Sequence, residues 1–187
     1  MKLPAPLGRF DMAAMVIAAG ALLSWIAAPQ WSGTAVLLIV AAVVQAARLG
    51  RWAGERTWRE PIVFILHVGY AFVPLGALAL GVAILWPAII APTGALHAWT
   101  TGAIGTMTLA VMTRATLGHT GRAIEAQPPT IAIYGAILFA ALARIAAPLL
   151  PGIYYPLLTA ASAGWLAAFG GFVIVYGPML IRPRANG

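Results

Sequence analysis

The side chains best able to do chemistry in this sequence are three histidines, His67, His97 and His119, in a chain without cysteine. Imidazole is the commonest side-chain ligand for haem iron, copper and zinc. With no thiolate present, histidine and methionine are the only soft or borderline donors. Two of the histidines bracket one stretch, His97 to Arg122, HAWTTGAIGTMTLAVMTRATLGHTGR. It is an apolar run of membrane length that also carries threonines, glycines, Met107 and Met112. At ~100° per residue, His97, Thr101, Thr108, Met112, Thr116 and His119 fall on one helical stripe. Ala98, Gly102, Thr106 and Thr113 form a second stripe, small enough to let another backbone approach. Leu96, Ile104, Met107 and Val111 point elsewhere, toward lipid. A helix with a polar, a packing and a greasy face belongs inside a bundle.

Spacing limits which donors can meet. His97 and His119 are separated by 22 positions, roughly 33 Å along a helix, so they cannot share a metal. They suit separate sites near opposite membrane faces. His67 and His119 fall on the same side of neighbouring antiparallel helices. They can approach one cofactor if the Gly118–Gly121 turn folds back. Each candidate also has a plain reading. His97 suits an interfacial residue satisfied by a carbonyl. Met112 and Met107 suit copper, but Met112 suits packing as well. The turn Gly118–Arg122 offers backbone N–H groups beside two cations, a setting for a haem propionate or a lipid phosphate. It equally suits a helix end closed by Gly118 or Gly121, with Arg114 and Arg122 complementing the dipole. Arg144 has no acid near it in sequence. It either snorkels outward or meets a buried anion.

Much chemistry is excluded. Without cysteine there are no disulfides, no iron–sulfur clusters and no thiolate-ligated haem. The sequence has no Walker loop, no HExxH and no dinucleotide fingerprint. The four acids (Asp11, Glu55, Glu60, Glu125) all fall toward the cytoplasmic side, which argues against a carboxylate proton relay.

The elements that must hold these residues are membrane helices. Of 187 residues 62% are apolar and 8% charged, and the mean hydropathy is +0.93; a soluble domain carries about a quarter charged residues. No alternating barrel pattern occurs, so helices are the only way to satisfy the backbone in lipid. Six segments are long enough: Asp11–Ala28, Trp31–Leu49, Pro61–Trp86, Gly94–Leu117, Thr130–Leu150 and Tyr154–Leu180. They predict an all-α, polytopic bundle of six transmembrane helices, forming a single domain over residues 1–187. Pro74 falls within the third helix and predicts a kink. Lys2, Arg9, Arg48, Arg51, Arg56, Arg59, Arg114, Arg122, Arg182 and Arg184 fall on one side, and only Arg144 does not. The positive-inside rule then places both termini in the cytoplasm. Trp25, Trp31, Trp86, Tyr154 and Tyr155 form the outer aromatic belt, and Trp52, Trp58 and Tyr176 the inner one. The segment Arg48–Glu60 suits either a plain basic loop or a short amphipathic helix on the membrane surface. The formal charge of +7 sits in short loops, so it speaks for topology and against nucleic acid as a partner.

At this point the residues resemble a known family. The stretch LHAWTTGAIGTMTLAVMTRATLGHTGR is similar to the C-terminal signature of the NnrS family. So are Arg59-Glu60-Pro61, Leu66-His67-Val68-Gly69-Tyr70, Tyr176-Gly177-Pro178-Met179-Leu180 and Arg182-Pro183-Arg184. The resemblance is to the C-terminal half only; the His-rich WHxHEMxFG-type motif of the N-terminal half is not in this sequence. It implies a haem-containing and copper-containing protein of the bacterial inner membrane, linked to nitric oxide, nitrosative stress and denitrification. Carried across, it implies His67, His97, His119 and Met112 as metal-ligand candidates, and Arg114, Arg122 and Arg144 as contacts to propionates or other anions. Expected partners are membrane lipid, haem and nitric oxide, with a homo-oligomer or a separate N-terminal-half protein completing the site. The alternative is a non-enzymatic membrane scaffold or transport subunit, whose polar stripe serves helix packing.

Overall fold

The computed structural model describes residues 5–185, so Lys2 lies outside it. Helix accounts for 82% of it, with no strand among the described residues, and this establishes the all-helical class. The elements are α1 (Arg9–Ala27), α2 (Ser32–Gly50), α3 (Pro61–Leu85), α4 (Pro92–His97), a π-helical segment (Ala98–Gly105), α5 (Thr106–His119), α6 (Pro128–Ala146) and α7 (Tyr154–Ile181). Pro61, Pro92 and Pro128 open their helices, where a missing N–H costs nothing and φ is already helical. α3 runs unbroken through Pro74.

Five helical stretches are long and apolar enough to cross a membrane: α1, α2, α3, Pro128–Leu149 and Pro151–Ile181. The expected fourth span does not form one α-helix. It is built from α4, the π segment and α5 placed end to end. This composite still runs the length of the bundle. At one end Gly94 lies against Pro148 and the Ile145 carbonyl. At the other, the Thr120 carbonyl accepts from the Ala185 N–H at 3.0 Å.

The helices alternate in direction and group as two trios, α1–α2–α3 and α5–α6–α7, with α3 packed on the composite helix. One core joins Ile65, Leu109, Leu117, Ile137 and Phe172 across α3, α5, α6 and α7. A second, richer in alanine, joins Ala21, Leu38, Ala41, Leu80 and Ala95. Small side chains let helices approach where lipid offers no hydrophobic gain from association. At Gly81 a Cβ would stand 2.9 Å from the Ala35 carbonyl oxygen, the shortest such distance to a neighbouring helix's backbone among the described glycines.

Of the two readings of Arg48–Glu60, the plain loop holds: α2 runs on to Gly50, and a single 3-10 turn occupies Gly54–Thr57. One expectation is revised. Tyr176 belongs to no aromatic belt; it is buried, and its hydroxyl shares a hydrogen bond with Thr130 at 2.6 Å. Asp11 lies in the first turn of α1 and is buried there against Arg48 of α2.

Candidate functional site

The composite helix carries both His97 and His119, and the π segment decides how its faces point. A π turn holds more residues than an α turn, so a stripe drawn at a constant angle does not continue across it. The small-residue stripe survives: Ala98, Gly102, Thr106 and Thr113 are all buried. The polar stripe does not stay on one face. Thr116 is buried, Thr101 and Met112 are half-buried, and Thr108 and His119 are exposed. Of the residues read as lipid-facing, Ile104 and Val111 are 63% and 53% exposed. Leu96 packs toward the alanine-rich core, and Met107 lies over Gly69 of α3.

Glycines make the seam between α3 and the composite helix. Phe72 occupies the space where a Gly102 side chain would be, and Trp99 does the same at Gly76. The Trp99 indole N–H then donates to the Val73 carbonyl at 2.9 Å. Thr106 ends the π segment, and its hydroxyl oxygen is the one buried side-chain N or O atom among the described residues without a hydrogen-bond partner. Beside this seam, α1, α2, α3 and the π segment line an open apolar pocket of about 290 Å³, edged by Ala41, Ala77, Ala103 and Gln45.

The three imidazoles are held in three different places. His67, half-buried on α3, has its Nδ1 within 3.3 Å of its own Val63 carbonyl. The ring lies under Gly54, which has no Cβ to exclude it, and Trp52 stands edge-on at 6.2 Å. Ala53, beside Gly54, is held at φ 52°, in the left-handed region. His97 sits where α4 meets the π segment and shares a hydrogen bond with the Thr100 hydroxyl at 3.4 Å. His119 ends α5 and is exposed. Among the described residues, no three His, Cys, Asp or Glu side chains converge as a metal set.

The cations divide similarly. Arg114 and His119 line one groove of about 470 Å³, walled by Leu66, Val111, Ala115 and Ile124. Arg122 turns away from it and donates to the Thr120 carbonyl at 3.3 Å. The turn that follows α5 closes the helix. Gly121 takes φ 71°, the Arg122 N–H returns to the Leu117 carbonyl at 2.9 Å, and the Gly121 N–H returns to Gly118 at 3.3 Å. This is a Schellman cap, so the backbone donors of GHTGR are consumed by the helix end. Arg144, in the last turn of α6, stands at the opposite end of the bundle from Arg114. Met112 packs against the α3–α5–α6–α7 core.

Sequence reasoning passed over the densest polar cluster. Arg48 donates through Nε to Asp11 at 3.0 Å and through Nη1 to the Tyr70 hydroxyl at 2.9 Å. Tyr70 donates to Gln45 at 2.7 Å, and Gln45 donates to the Ala14 carbonyl at 3.3 Å. The Gly8 N–H caps the other Asp11 oxygen at 3.1 Å. The Arg48 guanidinium lies 5.1 Å from the Trp52 ring centre, and Trp52 connects it to His67. The available signal was Gln45 and Arg48, three residues apart on one helix face in an otherwise apolar run.

A helical bundle of membrane-crossing length, with histidines on two packed helices and arginines set into its grooves, defines the class. Within that class, the chain belongs to the NnrS family: the family model, described as NnrS protein, matches residues 2–184. Neither a curated protein nor a solved structure matches it.

Proposed function

We propose that this chain is a six-crossing protein of the bacterial inner membrane, both termini cytoplasmic, that binds haem in the response to nitric oxide. Membership of the NnrS family supports the link to nitric oxide. The basic residues clustered at one end of the bundle support the orientation. The observation that carries the haem reading is the shared groove of His119 and Arg114. Its donor set fits the group: one imidazole for iron, one guanidinium for a propionate, and apolar walls for the ring. Bound haem supplies an iron that can take nitric oxide. The chain's own part is to present His119 at the end of α5, hold a propionate at Arg114 and offer Leu66, Val111 and Ile124 as apolar contacts to the ring.

His67 and His97 do not line this groove, so any further protein ligand would come from another chain: a second copy or an N-terminal-half protein. Copper fits these residues less well. Met112 is turned into the core, so copper is proposed only where that second chain brings further donors.

The test is a visible spectrum of detergent-purified protein, with and without dithionite and nitric oxide, plus elemental analysis. A Soret band is expected, and it disappears in His119→Ala while His67→Ala keeps it. Purified protein with neither pigment nor metal overturns the reading. The buried stripe Ala98, Gly102, Thr106 and Thr113 favours a second reading, a membrane scaffold. A His119→Ala variant that keeps its pigment, or histidine variants that lose assembly alone, support the scaffold.

A further inference from the structure

Arg144 is half-buried within the apolar zone of α6. Among the described residues it has neither an acid partner nor a hydrogen bond. An arginine at membrane depth is costly unless its charge is met. It opens into a groove of about 480 Å³ between the π segment, α6 and α7. Thr101 and Ser162 bring hydroxyls to this groove, Trp165 an indole, and Leu158 and Leu166 an aliphatic floor. Leu166 is itself 71% exposed, so the floor continues onto the surface that faces hydrocarbon. Tyr154 and Tyr155, exposed at the start of α7, mark the interface level nearby.

The occupant of such a groove has an anionic, hydrogen-bond-accepting head and an apolar tail. The residues lining the groove include no histidine or methionine, and His97 shares a hydrogen bond with Thr100 through Nδ1. A free anion would leave the aliphatic floor unused. A neutral lipid would leave the guanidinium without a counter-charge.

We propose that this groove binds the head group of an anionic phospholipid, with Arg144 engaging the phosphate and Thr101 and Ser162 donating from their hydroxyls. Arginine suits this role because its planar fork matches two phosphate oxygens. The site is independent of the haem groove at the other end of the bundle.

The test uses the full chain, delipidated in neutral detergent. Thermal unfolding and native mass spectrometry follow added phosphatidylglycerol, phosphatidylcholine with the same acyl chains, or inorganic phosphate. Phosphatidylglycerol is expected to raise the melting temperature and give a retained adduct, while the other two do neither. Arg144→Gln weakens phosphatidylglycerol binding about tenfold or more, as loss of a charge-assisted bond pair requires. Arg144→Lys keeps part of it, and Arg182→Gln at the far end keeps all. Should Arg144→Gln fail to fold, Ser162→Leu blocks the groove from an exposed position and must give the same loss. Equal effects of the two lipids, or wild-type binding by both variants, overturn the proposal. Equal protection by inorganic phosphate overturns it too and assigns the groove to a free anion. The pigment spectrum stays unchanged throughout, which separates this outcome from failure of the haem reading.

Discussion

The two trios, α1–α2–α3 and α5–α6–α7, are held by different kinds of polar contact. In α1–α2–α3 a charge pair lies inside the helix packing: Asp11 and Arg48 have side chains 5% and 14% exposed. Tyr70 takes a second Arg48 donor and is itself bonded to Gln45, and the guanidinium lies over Trp52. In α5–α6–α7 the contacts are neutral and isolated: Thr113 with Tyr134 at 2.5 Å, and Thr130 with Tyr176 at 2.6 Å. A charged network is all-or-none, because removing one member strands another charge away from water. A neutral hydroxyl pair is graded, because losing it strands no charge, and Thr113 also reaches its local Ala110 carbonyl at 3.1 Å. The first trio is therefore built to keep one arrangement, and the second tolerates adjustment. The π segment and the Arg144 groove lie on the tolerant side.

The largest effect that would break this contrast comes from Arg48→Met. It leaves the Asp11 carboxylate uncompensated and removes a donor to Tyr70. The melting temperature is expected to fall by on the order of 10 °C. Arg48→Met combined with Asp11→Asn should recover a large part of that loss. A fall no larger than that of a hydroxyl deletion in the other trio would show that the network is not all-or-none. Gly102→Val comes next. Its Cβ would stand 2.5 Å from the Phe72 ring, so the seam between the trios must open, at about 1–3 kcal/mol. Phe72→Ala in the same chain should relieve the clash, and a denaturant titration reads both. The smallest effect is Tyr134→Phe, which removes one neutral hydrogen bond and costs about 1 kcal/mol or less. Adding Thr113→Val should cost little more, because no partner is then left unpaired. A loss as large as that of Arg48→Met would erase the distinction between the trios.

Much of the fold was legible because lipid removes choices. Apolar runs that cannot expose their backbone must be helices, and the prolines mark where they start. The Gly-capped end of α5 was also readable, since only a residue tolerant of positive φ closes a helix at Gly121 in that way. The histidines were identifiable as unusual, but their grouping was not. His67 is turned under Gly54 and Trp52 by a loop whose path depends on Ala53 adopting φ 52°. No periodicity announces that turn.

The sequence by itself determined the helical class, the alternation of the chain between two ends, and the burial of the stripe Ala98, Gly102, Thr106 and Thr113. These follow from local composition and from a solvent that offers the backbone no hydrogen bonds. Only the tertiary structure decided that Asp11 meets Arg48, that Tyr176 is buried on Thr130, and that His119 shares a groove with Arg114 while Arg144 faces a different one. Those outcomes depend on the rotation of each helix about its own axis. Within the composite helix the π segment resets that rotation, and between helices it is set by which glycine admits which aromatic ring. Neither is a property of any one segment.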